Sequence, residues 1–65
     1  MEVQKILRES GYTGKIIYNT NYFEIAPSKR YTLIIEKDGK EFINRSYLTG
    51  SGAETLFHRW VAKQQ

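Results

Sequence analysis

The strongest fold signal in the chain is an Asp-Gly pair at positions 38–39. It separates two runs rich in β-branched and aromatic residues, 31–36 and 41–48. Asp-Gly favours the tight turn of a β-hairpin, and the flanking residue types favour strands. The sequence therefore predicts an antiparallel hairpin. A two-residue loop would pair Ile35 with Phe42 and a bulged loop would shift the pairing by one residue, and the sequence leaves both registers open.

The first ten residues have the spacing of a short amphipathic helix. Val3, Ile6 and Leu7 are apolar, and charged or amide side chains occupy most of the positions between them. This spacing is typical of one buried helical stripe. Gly11 accepts the left-handed conformation that often ends a helix. The sequence predicts an N-terminal helix over residues 2–10.

A second stretch of strand-forming residues covers 15–25, with a polar interruption at 19–21. One bent strand and a short hairpin fit this pattern equally well. Residues 27–30 form the predicted turn that follows, because Pro27 fixes φ and lacks a donor N–H. The predicted sheet has three strands, or four if residues 19–21 make a turn.

The chain ends in the clearest helical pattern. Apolar residues recur at helical spacing: Ala53, Leu56, Phe57, Trp60 and Val61. Ser51 is the candidate N-cap, and Glu54 three residues later completes a capping box. A helix is predicted to begin at this point.

These elements predict a single small α+β domain over residues 1–65. Its expected architecture is αβββα, one antiparallel sheet with the N- and C-terminal helices packed on the same face. The predicted core is Val3, Ile6, Leu7, Leu33, Ile35, Leu56, Phe57, Trp60 and Val61.

Composition argues against catalysis and against bound metals. The chain has no Cys and one His, so neither a disulfide nor a Cys/His zinc site can be built. His58 lies on the polar face of the predicted last helix, away from any nucleophile that it could activate. We expect a protein that is not an enzyme and needs no metal or cofactor.

No apolar run approaches the length of a membrane span, and no signal-peptide core follows Met1. The sequence therefore predicts a cytoplasmic protein without membrane contact, in the host-cell cytoplasm if a phage encodes it.

The predicted sheet is apolar on both faces, which indicates either a contact surface or ordinary cross-strand packing on a solvated face. The candidate partner-binding residues are Tyr18, Tyr22, Ile34, Asp38, Gly39, Lys40, Ile43 and Tyr47. Their partner would be another protein or nucleic acid, and a homodimer through this face or an edge strand is a further alternative.

The chain carries a net charge of +3, and its basic surplus falls after residue 25. Such a surplus could contact phosphates. The candidate nucleic-acid-binding residues are Gln4, Lys5, Arg8, Lys29, Arg30, Lys37 and Arg45.

The predicted order of elements resembles the double-stranded-RNA-binding domain, whose length matches the whole chain. In that family the first helix and the loop between the first two strands enter minor grooves. The resemblance implies that Gln4, Lys5 and Arg8 form the helix face and that residues 27–30 form the loop. A nucleic-acid-binding domain of this kind could also be similar to the three-stranded-sheet DNA-binding domain found at the start of integrases.

The chain also resembles small phage anti-CRISPR inhibitors of type II nucleases with a helix, a three-stranded sheet and a helix. The resembling segments are 6–9, 12–13, 33–35, 38–39, 41–42, Glu54 and 56–57. The resemblance implies binding to a guide-loaded nuclease, with residues 38–40 at the hairpin tip as a plug.

The predicted function is a non-catalytic phage- or mobile-element-type inhibitor that acts by steric occlusion of a nucleic-acid-processing protein. The alternative is a small basic nucleic-acid-binding domain.

Overall fold

Four antiparallel strands and one helix form the part of the chain that the structure describes. This computed structural model covers residues 2–19 and 30–65, with Glu2 described by its backbone alone. The elements are β1 (Glu2–Glu9), β2 (Tyr12–Tyr18), β3 (Tyr31–Lys37), β4 (Lys40–Tyr47) and α1 (Gly50–Lys63). The strands lie side by side in chain order, so each one pairs with its neighbour in sequence.

The segment between β2 and β3 carries several predictions that cannot be compared with the structure. Tyr22, Lys29, the strand residues 22–25 and most of the turns at 19–21 and 27–30 lie outside the described residues. The described ends of this segment are joined, because the Asn19 N–H donates to the Arg30 carbonyl oxygen at 2.8 Å.

The predicted N-terminal helix is wrong, and the αβββα architecture is wrong with it. Residues 2–9 form an edge strand, and the described part of the chain has a single helix, at the C-terminal end. A helix of nine residues has little stability of its own in water. Pairing with β2 satisfies the backbone of β1, and Ile6 and Leu7 then project to opposite faces of the sheet.

Both hairpins turn through two residues that have positive φ. Ser10 and Gly11 have φ of 52° and 83°, and Asp38 and Gly39 have φ of 54° and 76°. Positive φ at both central residues is characteristic of a type I′ turn, whose twist matches that of the strands. Ser10-Gly11 is therefore the turn of the first hairpin, where the sequence pattern had indicated the end of a helix.

The second hairpin combines the two registers that the sequence left open. Lys37 pairs with Lys40 across a two-residue loop, but Ile35 pairs with Ile43 because a bulge intervenes. Phe42 is the extra residue. A bulge places two consecutive side chains of the edge strand on one side of the sheet.

The core lies between one face of the sheet and α1. Its fully buried side chains come from the two central strands and from one stripe of the helix, and they are Ile16, Leu33, Ile35, Ala53, Phe57 and Val61. Three predicted core residues are substantially exposed instead: Val3 by 54%, Ile6 by 48% and Leu56 by 37%. The burial of Val3 and Ile6 was predicted on the basis of an N-terminal helix, and these residues lie in the edge strand β1 instead.

Gly14 sets how closely the helix approaches the sheet. A Cβ at this position of β2 would lie 2.5 Å from Cδ1 of Phe57. The Phe57 ring therefore packs directly on the backbone of β2, and any side chain there would push the helix away.

The helix begins slightly before its predicted start. Thr49 is the N-cap, and its Oγ1 accepts a hydrogen bond from the Gly52 N–H at 3.0 Å. The predicted capping box of Ser51 and Glu54 is therefore wrong, and the Glu54 carboxylate contacts Lys5 instead. The helix has 14 residues, and none of the described residues belong to a helix long and apolar enough to cross a membrane.

Candidate functional site: a basic groove beside the helix

The two flanks of α1 carry different side chains. The buried stripe of Ala53, Phe57 and Val61 divides the helix lengthwise. Glu54 and His58, four residues apart, lie on the flank that faces β1, where each contacts a β1 side chain. Arg59 lies on the flank that faces β4.

An ion pair and a hydrogen bond bridge the β1 flank. The Lys5 Nζ lies 2.9 Å from Oε2 of Glu54, and the His58 Nδ1 lies 2.6 Å from Oε1 of Glu9. Both carboxylates of this flank are therefore engaged between strand and helix. The pairs connect the first hairpin to the helix and leave this side without a cluster of like charge.

The β4 flank is an open groove of about 260 Å³ between the edge strand and the helix. We call it the basic groove. Its lining residues are Leu33, Ile35, Ile43, Arg45, Tyr47, Leu56, Arg59, Trp60 and Lys63.

Among the described residues, three cations line the basic groove and no carboxylate does. Arg45 comes from β4, and Arg59 and Lys63 come from successive turns of α1; all three are exposed. Within residues 2–19 and 30–65, none of the three has a carboxylate at ion-pair distance. Like charges repel, so this arrangement concentrates positive potential with no compensation from the described part of the chain.

Aromatic rings form one end of the groove. Trp60 packs edge-on against Tyr12 with ring centroids 5.1 Å apart, and the Phe42 ring lies 5.7 Å from Trp60. Two lysines lie over this cluster: the Lys37 Nζ is 4.6 Å from the Tyr12 centroid, and the Lys40 Nζ is 5.4 Å from the Phe42 centroid. The bulge in β4 places Phe42 here, with 41% of its surface exposed.

A row of tyrosines crosses the sheet near the start of the helix. Tyr31 pairs with Tyr18 on β2 and with Tyr47 on β4. The Tyr18 and Tyr31 rings lie 5.2 Å apart, and Tyr31 and Tyr47 pack against the core. Tyr47 also lines the basic groove. Cross-strand packing explains the row, and only its β4 end borders the groove.

The face of the sheet away from the helix is mixed in character. Ile34 lies between Lys15 on β2 and Asn44 on β4, and Lys15 forms an ion pair with Glu36 at 3.0 Å. Nearby, the Thr32 and Ser46 hydroxyls lie 3.4 Å apart. Polar and paired side chains therefore interrupt the apolar ones.

The structure divides the predicted partner-binding residues among separate places. Ile43 and Tyr47 pack against the core on the helix side, whereas Ile34 lies on the opposite face. Asp38 and Gly39 form the exposed tip of the second hairpin, followed by Lys40. Tyr18 belongs to the tyrosine row, and Tyr22 lies outside the described residues.

The predicted nucleic-acid-binding residues are also dispersed. Gln4 and Lys5 border the start of the helix, and Arg8 projects to the opposite face, because Leu7 and Glu9 on either side of it contact the helix side. Lys37 lies over Tyr12, and Arg30 directly precedes β3.

Of this predicted set, Arg45 lines the basic groove. Its counterparts Arg59 and Lys63 belong to the basic surplus after residue 25 but were not among the candidate residues, although their i, i+4 spacing placed them on one flank of the predicted helix. The sequence did not indicate which strand lies beside this flank of the helix.

Comparisons with family models, with curated proteins and with solved structures found no significant match. The two resemblances drawn from the sequence stay predictions, and the helix-first order that both share is not the order in this chain. Among the described residues, no three His, Asp or Glu side chains come close enough together to hold a metal ion.

Proposed function

We propose that this protein is a non-catalytic nucleic-acid-binding domain whose basic groove binds the phosphate backbone. One observation carries the proposal: Arg45, Arg59 and Lys63 meet in one groove and none has a carboxylate partner among the described residues. Unpaired cations lose no intramolecular contact when they bind phosphates. Each phosphate that they neutralise releases condensed counterions, which favours binding.

The contrast with the rest of the surface supports this choice of site. Lys5 and Lys15 each already contact a carboxylate, so binding a phosphate would cost them that partner. The chain's excess of three positive charges is modest, yet three cations line this one groove. A concentrated patch of one sign attracts a polyanion more strongly than the net charge alone would indicate.

The steric-occlusion inhibitor stays a prediction, and the geometry favours it less. Its expected contact surface would need Ile34, Ile43 and the hairpin tip on one side of the molecule. Ile34 and Ile43 instead lie on opposite faces of the sheet. An inhibitor that binds guide RNA would use the same basic groove, so the nucleic-acid test comes first.

Fluorescence anisotropy with labelled single-stranded and duplex oligonucleotides tests the proposal. Three phosphate contacts predict that affinity falls by roughly 20- to 40-fold between about 50 and 200 mM salt. Arg59→Gln should weaken binding and reduce the slope of log K against log salt by about 0.7 to 0.9. Arg45→Gln should do the same, because both side chains border one groove.

Arg8→Gln is the matched control. It removes the same charge from an exposed arginine on the opposite face of the sheet, so affinity and salt slope should stay close to those of the unmodified protein. Absence of binding to both oligonucleotides at low salt would refute the proposed function. Equal losses from Arg8→Gln and Arg59→Gln would refute the basic groove as its site.

A further inference from the structure

We infer that the basic groove selects single-stranded nucleic acid, with a base stacked on the aromatic rings at its end; this inference rests on the proposed function. The groove places rings directly beside cations: Trp60 lines it together with Arg59, and Phe42 lies 5.7 Å from Trp60. Phosphate-binding cations beside accessible aromatic faces are the combination by which proteins bind single strands.

Phe42 packs against the Tyr12 and Trp60 rings and still has 41% of its surface exposed. A register without a bulge would project only one of Phe42 and Ile43 to the helix side. The bulge turns both there, where Ile43 contacts the core and Phe42 remains 41% exposed at the rim. A large ring is thereby held at the surface, at a position where a base could lie on it.

The surroundings of these rings favour a base that is tethered to phosphates. The Lys40 Nζ lies 5.4 Å from the Phe42 centroid, so charge is present beside the ring, and a base that stacks on this face takes the place of Lys40. Trp60 is partly buried and packs against Tyr12 with the two ring planes at 87°. A ring held in place in this way loses little conformational freedom when a base stacks on it.

A duplex cannot make this contact without disruption. Its bases are already stacked on one another and present only their edges in the grooves. Duplex phosphates can still reach Arg45, Arg59 and Lys63. We therefore expect both forms to bind through charge, and the single strand to gain affinity from stacking.

Trp60 is the only tryptophan in the chain, so its emission reports directly on this end of the groove. An oligothymidylate of about 12 nucleotides should quench Trp60 emission as it binds, because a stacked base contacts the indole or its neighbour. A duplex of equal length should bind more weakly and quench less.

Phe42→Ala provides the second measurement. Phe42 is outside the buried core, so the variant should fold, which circular dichroism checks. Its affinity for the oligothymidylate should fall by about tenfold, with little change for the duplex. Phe42→Tyr should restore single-strand affinity, because a tyrosine ring also stacks with bases.

The outcomes separate this inference from the proposed function. Single-strand preference, Trp60 quenching and a selective loss in Phe42→Ala would support it. Equal affinity for both forms, with Phe42→Ala unchanged, would overturn the stacking inference and leave phosphate binding in place. No binding of either form at low salt would overturn both.

Discussion

The two flanks of α1 use charge in opposite ways. Toward β1, Glu54 and His58 each contact a side chain of the strand, so charge there joins helix to sheet. Toward β4, Arg59 and Arg45 border a groove whose described lining residues include no carboxylate, so these positive charges are exposed to solvent. Charges used for structure are paired within the chain, and charges available to a ligand are those that the chain leaves unpaired.

The flanks also differ in what joins each hairpin to the helix. The first hairpin is joined to the helix by the Lys5–Glu54 ion pair and by a hydrogen bond between Glu9 and His58. The second hairpin has a bulge at Phe42 and presents rings and cations beside the helix. Three pairs of variants can test this difference between the flanks.

The largest expected loss of stability comes from the buried stripe, on which both flanks of the helix depend. Phe57→Ala removes a fully buried ring between helix and sheet and should lower the free energy of unfolding by about 3–5 kcal/mol, enough to unfold a domain of this size. Leu56→Ala, one residue away and 37% exposed, should cost clearly less. Urea denaturation followed by circular dichroism measures both, and equal losses would contradict the placement of the buried stripe.

A smaller loss of stability is expected when the helix is pushed away from the sheet. Gly14→Ala places a methyl group against the Phe57 ring and should destabilise by about 1–3 kcal/mol. Gly50→Ala is its control, because a Cβ there meets only ordinary contacts with Tyr31 at 3.5 Å. That variant should be neutral or stabilising, since alanine favours helix more than glycine does. Thermal unfolding distinguishes the two, and the same sign for both would contradict the close approach.

The smallest expected change in stability compares one charged residue from each flank. Glu54→Gln breaks an exposed ion pair and should lower stability by less than about 1 kcal/mol, an effect that added salt weakens. Arg59→Gln breaks no ion pair within the described part of the chain, so stability should be unchanged or slightly higher. Denaturation at low and high salt, compared with oligonucleotide affinity, should show one flank affecting stability and the other affecting binding. A loss of stability in Arg59→Gln would contradict this division between the two flanks.

Local signals predicted the second hairpin and the C-terminal helix well. Asp38-Gly39 favours its turn whatever surrounds it, and the apolar spacing of residues 53–61 fits only a helix. The start of the chain was ambiguous, because Val3, Ile6 and Leu7 fit either a helical stripe or a strand with apolar residues on both faces. Pairing with β2 decided between them, and pairing is not a local property.

The candidate site was only partly accessible to sequence reasoning. Arg45 was among the predicted nucleic-acid-binding residues, and Arg59 and Lys63 shared one flank of a predicted helix. Their meeting depends on which edge strand that flank faces. Phe42 joined them only because a bulge shifts the register, and nothing in the residue types required a bulge at that position.

The sequence by itself determined an α+β chain with a tight hairpin, an amphipathic last helix and a basic surplus, because turn chemistry, helical spacing and charge are properties of neighbouring residues. The tertiary structure alone decided that residues 2–9 are a strand, that Gly14 receives the Phe57 ring, and that Arg45, Arg59 and Lys63 share one groove. Each of these depends on contacts between residues far apart in the chain, whose free energy exceeds the weak local preferences that they override.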